Sequence, residues 1–226
     1  MTENPGTSPV PHEPSEGERG AGDGSSLVAE RVFGERFEQI SRYVDILTNR
    51  GVEWGLLGPR EPARIWSRHI LNCAALGGLL PQGASVMDIG SGAGLPGIVL
   101  AILRPDLEVV LVESLLRRAN FLELAVEELG LGGRVTVVRG RAEEQKRHVD
   151  VVTCRAVAPL EKLLRWSANA FLPDGMLVAL KGDTAADEVR ATAKELDRRR
   201  MVAEVVQIRA DQAAEATQAI VVRRRA

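Results

Sequence analysis

The residues with the clearest chemical meaning stand in one run, Val86-Met-Asp-Ile-Gly-Ser-Gly-Ala-Gly-Leu-Pro-Gly97. A strand pattern ends at Ile89, glycines follow, and a helical pattern opens at Pro96. Glycine allows positive φ and close approach of backbone to a ligand. In an open α/β sheet, the crevice at the carboxyl ends of the strands is where ligands bind. Gly90, Gly92 and Gly94 read as G-x-G-x-G, the pattern expected for S-adenosyl-L-methionine. Gly92, Gly94 and Gly97 read as G-x-G-x-x-G, the dinucleotide pattern. Glu113, at the end of the second strand pattern, suits ribose hydroxyls in either case. Three features favour the methyl donor. Asp88 sets a carboxylate just inside the turn, where it attracts a cationic ligand and repels a pyrophosphate. The dinucleotide reading strands Gly90 and Ser91 between the sheet and the motif. Little chain remains for the substrate domain of a dehydrogenase. A nicotinamide-dependent oxidoreductase is the alternative from another class.

Basic side chains recur around the same end of the sheet. Arg155 and Lys181 follow the fourth and fifth strand patterns, and Arg117 and Arg118 open the helix after the second. All four are placed to rim the crevice. Arg60, Arg64 and Arg68 step along one helix face at intervals of four; for Arg60 and Arg64 a substrate contact and a solvated face suit the pattern equally. His69 shares a helical stripe with Ile65, Cys73 and Leu76, so it faces the body of the protein. A packing histidine that docks the helix over the crevice and a contact to a bound substrate both satisfy that pattern. Cys154 reads as a small strand-end residue rather than a nucleophile, and His12 and His148 take no role. The arginine runs at 198–200 and 223–225 read as solubilising.

These groups need a scaffold to converge. Short Val-, Ile- and Leu-rich runs at 85–89, 108–112, 134–138, 150–153 and 176–180 read as strands buried on both faces of a parallel sheet. Helical patterns at 96–103, 115–129, 159–171 and 187–196, with a short turn near 142–145, alternate with them. Strands at 201–208 and 217–222 close the chain. The result is a doubly wound α/β sheet over 85–226. Upstream, Ser26 reads as an N-cap, and Val28, Val32, Phe33, Phe37, Ile40, Val44 and Leu47 recur at helical spacing. A second helix is expected over 61–80, opening at Pro62, so 27–80 form an N-terminal helical cap.

Composition bounds the partners. Residues 1–26 hold four of eleven prolines and five of 22 glycines, with Glu3, Glu13, Glu16, Glu18 and Asp23 against Arg19 alone. They read as a disordered acidic tail. The whole chain of 226 residues carries a net charge of −2, so a nucleic-acid surface has to be a local patch. Aromatic residues, at 4%, argue against a stacking platform for single strands. No apolar run approaches the ~18 residues of a membrane span, and no signal-peptide pattern opens the chain. Two cysteines without histidines at ligand spacing predict neither a disulfide framework nor a metal site. A cytoplasmic monomer is expected.

The run Asp88-Ile-Gly-Ser-Gly-Ala-Gly-Leu-Pro-Gly-Ile98 resembles the bacterial ribosomal RNA small-subunit methyltransferase G family, also called glucose-inhibited division protein B. Arg68-His-Ile-Leu71, Glu113-Ser-Leu-Leu-Arg-Arg118, Arg141-Ala-Glu143, Cys154-Arg-Ala156 and Leu180-Lys-Gly182 follow the family's order. The chain departs from many relatives at Trp54-Gly-Leu-Leu57, where they carry Asn-Leu-Thr, and at Asn72-Cys73, where they carry Asp-Ser. The resemblance implies a seven-stranded Rossmann-like methyltransferase with S-adenosyl-L-methionine as cofactor. Its substrate would be N7 of a guanosine in small-subunit ribosomal RNA, as free RNA or in the small ribosomal subunit. It places the donor against Gly90, Leu95, Ala142, Glu143 and Arg155. With the residue reading, Asp88, Gly90, Gly92, Gly94 and Leu95 enclose the methionine part and Glu113 holds the ribose. Ala142 and Glu143 border the adenine, and Arg68, His69, Arg155 and Lys181 position RNA. Guanine N7 carries a lone pair and no proton, so no general base is expected. A methyltransferase acting on a small molecule or protein is the nearer alternative.

Overall fold

The computed structural model describes residues 24–225; the expected acidic tail lies outside them except at its last three positions. Gly24 caps, and Ser25 and Ser26 begin, the first helix, α1 (Ser25–Phe33). The N-cap is Gly24 in a left-handed conformation, and Ser26 sits inside the first turn, so the expected serine cap is not formed. Gly34 then adopts a φ of 52° and interrupts the helical stripe before α2 (Phe37–Ile46). A wide turn over Leu47–Gly51 ends this arm.

The second expected helix is an irregular coil of four pieces. A tight turn over Pro62–Arg64 leads into a π-helical stretch over Ile65–Leu71, one α turn, α3 (Asn72–Ala74), and a 3₁₀ turn over Ala75–Leu79. Such widened turns break the 3.6-residue period and are frequent at functional sites. The regular periodicity of this segment therefore overstated its regularity.

The remaining chain builds one seven-stranded sheet in the order β3-β2-β1-β4-β5-β7-β6. The first five strands, β1 (Ser85–Ile89), β2 (Glu108–Glu113), β3 (Val135–Arg139), β4 (Val151–Arg155) and β5 (Met176–Lys181), pair parallel with their neighbours. The hairpin of β6 (Met201–Ile208) and β7 (Thr217–Arg224) enters with β7 antiparallel to β5. The strand order reverses between β1 and β4, the switch point at which α/β sheets bind ligands.

Helices cover both faces. Alternate strand residues separate into two apolar clusters, as a period of two requires. Val86, Val109 and Leu111 pack with α4 (Gly97–Leu103) and α5 (Leu116–Glu128), and the cap residues Ile40, Tyr43 and Leu47 belong to the same cluster. Met87, Ile89, Val110 and Val112 pack with α6 (Leu160–Phe171), α7 (Ala185–Ala191) and α8 (Ala193–Arg198). One helix was expected where α7 and α8 stand. Thr192 divides them, its hydroxyl donating to the Glu188 carbonyl at 2.7 Å, a side-chain bond that competes with the helix ladder. Among the described residues, no helix is long and apolar enough to cross a membrane.

Candidate active site

The glycine loop is fastened on three sides. Gly90 and Ser91 donate their N–H groups to the Val112 carbonyl at 2.8 and 3.1 Å, tying the loop to β2. The Glu113 carboxylate accepts from Gly92 N–H at 3.0 Å and from Leu115 N–H at 2.9 Å. From the cap, the buried Tyr43 hydroxyl donates to the Ala93 carbonyl at 2.7 Å. Gly90 has a φ of +66°, and a Cβ there would come within 2.9 Å of Val157, so this position both needs and uses the missing side chain.

Three cavities run along the carboxyl ends of the strands. The first, about 520 Å³, is lined by Gly90, Gly92, Leu95, Glu113, His69 and Arg155 among others. A second, about 350 Å³, shares Gly90, Ser114 and Val157 with it and reaches Ala142, Glu143 and Trp166. The third, about 480 Å³, shares Arg155, Ala156 and Val157 with the first and is bordered by Arg68, Asn72 and Lys181. Their common residues make one crevice with Arg155 and Val157 along its middle. Ala156 takes a φ of 53°, an uncommon conformation for a residue with a Cβ, at the junction of the first and third cavities.

Of the candidate residues, two stand outside the cavity walls. Asp88 is fully buried beneath the loop, with Oδ2 accepting the Gly97 N–H at 3.0 Å. Desolvation raises its pKa to about 7, partly offset by the Gly97 and Ser91 hydrogen bonds. Gly94 is turned toward the cap, where a Cβ would overlap Ile98 and approach the Tyr43 hydroxyl to 2.8 Å. Lys181 reaches the third cavity, but its ammonium is held by the Ala158 carbonyl at 2.8 Å and by Glu188 at 2.7 Å.

His69 is buried, and both ring nitrogens have partners. An Arg155 guanidinium N–H meets Nδ1 at 2.6 Å, and Nε2 lies 2.6 Å from Glu61 Oε2. Guanidinium can only donate, so Nδ1 accepts and Nε2–H donates to Glu61. Burial, followed by the nearby Arg155, lowers the His69 pKa. Cys73, from the departing Asn-Cys pair, lies 3.6 Å from the other Arg155 terminal nitrogen. His69 therefore packs, and it packs against a crevice arginine.

Sequence reasoning missed Tyr43 and Glu61. Tyr43, the chain's one tyrosine, lies three residues after Ile40 on the cap's apolar face, and a buried hydroxyl there needed an acceptor. Glu61 carried no usable signal, because its partnership with His69 depends on the irregular winding between them. Among the described residues, no group of three or more His, Cys, Asp or Glu is arranged to hold a metal ion.

Solved structures similar to this one include the Bacillus subtilis m1A22 tRNA methyltransferase TrmK, at 18% identity and a TM-score of 0.53 over 68% of this chain and 65% of that one. Another is an S-adenosylmethionine-dependent O-methyltransferase from Thermotoga maritima, at 21% identity and a TM-score of 0.53 over 68% and 64%. At these identities they speak for the fold alone, an α/β sheet flanked by helices. Sequence relatives are much nearer. The ribosomal RNA small subunit methyltransferase G of Streptomyces avermitilis is 53% identical over 75% of this chain and 72% of its own. The protein of the same name from Rhodococcus jostii is 52% identical over 82% and 83%, and that of Mycolicibacterium smegmatis 55% over 71% and 70%. The model of the GidB family, rRNA small subunit methyltransferase G, matches residues 36–218, a span that takes in α2, the glycine loop and all three cavities. With a methyltransferase fold, a loop and crevice inside the matched span, and relatives above 50% identity, this chain belongs to the rRNA small subunit methyltransferase G family.

Proposed function

We propose that this protein methylates N7 of one guanosine in small-subunit ribosomal RNA, drawing the methyl group from S-adenosyl-L-methionine. The observation that carries the choice of N7 is the state of His69. It is the side chain in the crevice best suited to act as a base, and both its nitrogens are engaged by Arg155 and Glu61. Methylating an amino or hydroxyl group requires a proton to leave. Guanine N7 offers a lone pair with no proton, so alignment suffices, and alignment can supply much of the rate enhancement.

The crevice residues fit the donor. Gly90 presents bare backbone to the first two cavities, and each Glu113 oxygen, after accepting one backbone N–H, retains a lone pair that can accept from a ribose hydroxyl. Bound there, S-adenosyl-L-methionine supplies an electrophilic methyl group. Gly90, Gly92 and Leu95 enclose its methionine part, with Asp88 and Gly94 shaping the loop from behind. Ala142 and Glu143 border the adenine, beside Trp166. Arg155 and Arg68 orient the RNA, and the tethered Lys181 adds positive charge to the third cavity. The protein works as a cytoplasmic monomer on free RNA or on the small subunit.

The test uses methyl-labelled donor, the protein, and small subunits from cells lacking the corresponding gene, with nucleosides identified by mass spectrometry. Label in 7-methylguanosine is the expected result. Label in another nucleoside rejects N7 while keeping the donor, and failure to bind the donor rejects the reading altogether.

A further inference from the structure

We propose that Glu61 and His69 form a positioning relay that holds the Arg155 guanidinium at the junction of the first and third cavities. The inference rests on the methyl-transfer reading of the crevice.

Arg155 ends β4 and, among the described residues, is the one charged residue bordering both of those cavities. An arginine on a strand end has four rotatable side-chain bonds, so its position needs external support. That support comes from the cap. His69 presents Nδ1 as the acceptor, while Cys73 Sγ lies 3.6 Å from the second terminal nitrogen. The acceptor state of Nδ1 requires the proton on Nε2, and there the Glu61 carboxylate receives it at 2.6 Å. The hydrogen bond from His69 holds the Glu61 carboxyl below its usual range, so it remains an acceptor. Glu61 is fastened in turn by Arg64, at 3.2 Å from Oε1, with Arg68 at 3.9 Å from Oε2. The chain of contacts therefore runs from the exposed arginines of the cap, through one carboxylate and one imidazole, to the crevice.

The π-helical winding over Ile65–Leu71 makes this possible. It carries His69 inward beside Ile65, Ile70 and Leu71, all buried. The tight turn at Pro62–Arg64 leaves Glu61 just outside, facing the ring. Neither Glu61 nor His69 then acts on the substrate directly; both act through Arg155.

The test combines kinetics with a tautomer readout at neutral pH. Glu61→Ala and His69→Ala are each expected to lower kcat/KM for the small subunit about tenfold or more, since small misplacement of a reacting group can cost up to ~100-fold. His69→Gln keeps one acceptor and one donor and is expected to recover most of the loss. In an Arg155→Ala background, either alanine substitution should change kcat/KM less than about twofold, because groups in one network are not additive. Nitrogen-15 spectra of the imidazole should show the Nε2–H tautomer in wild type. Additive losses, a His69→Gln variant as poor as His69→Ala, or an Nδ1–H tautomer would each overturn the relay. Glu61 is partly exposed, so its variant tests the idea even where His69→Ala is unstable; thermal melting separates the two. Wild-type methyl transfer is the control, and its absence would strike the underlying reading instead, removing this role with it.

Discussion

Asp88 combines complete burial with one oxygen, Oδ1, that has no hydrogen-bond partner among the described residues, while Oδ2 holds the Gly97 N–H. Its pKa of about 7, against 3.8 for an ordinary aspartate, means the folded protein keeps a proton that the unfolded chain has lost across that window. Stability from this group therefore falls as pH rises from the unfolded value toward 7, by about 1.4 kcal/mol per unit, then levels off. His69 works in the opposite sense: its pKa is lowered below 6.5, so the unfolded chain takes up the proton first and stability rises with pH there. Asp88→Asn keeps a carbonyl for Gly97 and cannot ionise. Urea unfolding at pH 5.5 and pH 8 should show a smaller loss of stability toward alkaline pH in this variant than in wild type, and equal pH dependence would assign the effect elsewhere. Glu113 is a second residue-scale test. Glu113→Ala removes the acceptor for two loop N–H groups and the acid facing the cavity, so donor affinity by calorimetry should fall at least about tenfold, given ~1.5–3 kcal/mol for a hydrogen bond to a charged group. Unchanged affinity would remove Glu113 from the donor site.

At the scale of elements, the cap reaches the loop through Tyr43. α2 sends the Tyr43 hydroxyl to Ala93 and packs its ring end against the space that Gly94 leaves open. Tyr43→Phe leaves the Ala93 carbonyl without its donor and should cost about 1–3 kcal/mol in denaturant unfolding. Donor affinity should fall in the same variant, since the loop is then held only by β2 and Glu113. A variant that loses stability but binds the donor normally would show the cap to be a passive cover. α4 makes a similar demand on its partners. A Cβ at Gly97 would overlap Leu111 on β2 and come within 2.7 Å of Asp88 Oδ2 on β1, so the helix could no longer sit at its observed distance from the sheet. Gly97→Ala is expected to destabilise by about 1–3 kcal/mol, the usual cost of overpacking, with reduced donor binding in parallel.

For the whole molecule, the balance of charge sets how RNA is met. A net charge of −2 supplies no general attraction for a polyanion, so approach depends on the bases concentrated at one end of the sheet. Arg118 borders the first cavity and is exposed, as is Arg117 beside it on α5. Replacing both with glutamate should weaken ribosomal RNA binding and flatten its salt dependence by a slope of about one to two. Filter binding across a salt series reads both quantities. An unchanged slope would move the RNA surface away from α5.

Much of this protein could be read along the chain because the relevant signals are local. Buried parallel strands must be continuous apolar runs, and every one of the expected strands appears within a few residues of its place. The glycine spacing and Glu113 are adjacent to strand ends, so their convergence on one crevice follows from the alternation of strands and helices alone. Residues 62–79 mark where that legibility ends. Their apolar period suggests one regular helix, whereas the folded chain winds them into tight and wide turns. Lys181 and Asp88 show the same limit for side chains: position along the strand placed both at the crevice, but Glu188 captures one and the Gly97 N–H the other. Glu61 meets His69 across eight residues, His69 meets Arg155 across 86, and Tyr43 meets Ala93 across 50. Hydrogen-bond partners at such separations are chosen by burial, because a polar group removed from water must take whatever acceptor or donor the folded chain brings within reach. Local order along the backbone decided the sheet and the loop; the satisfaction of buried polar groups decided which side chains remain available for chemistry.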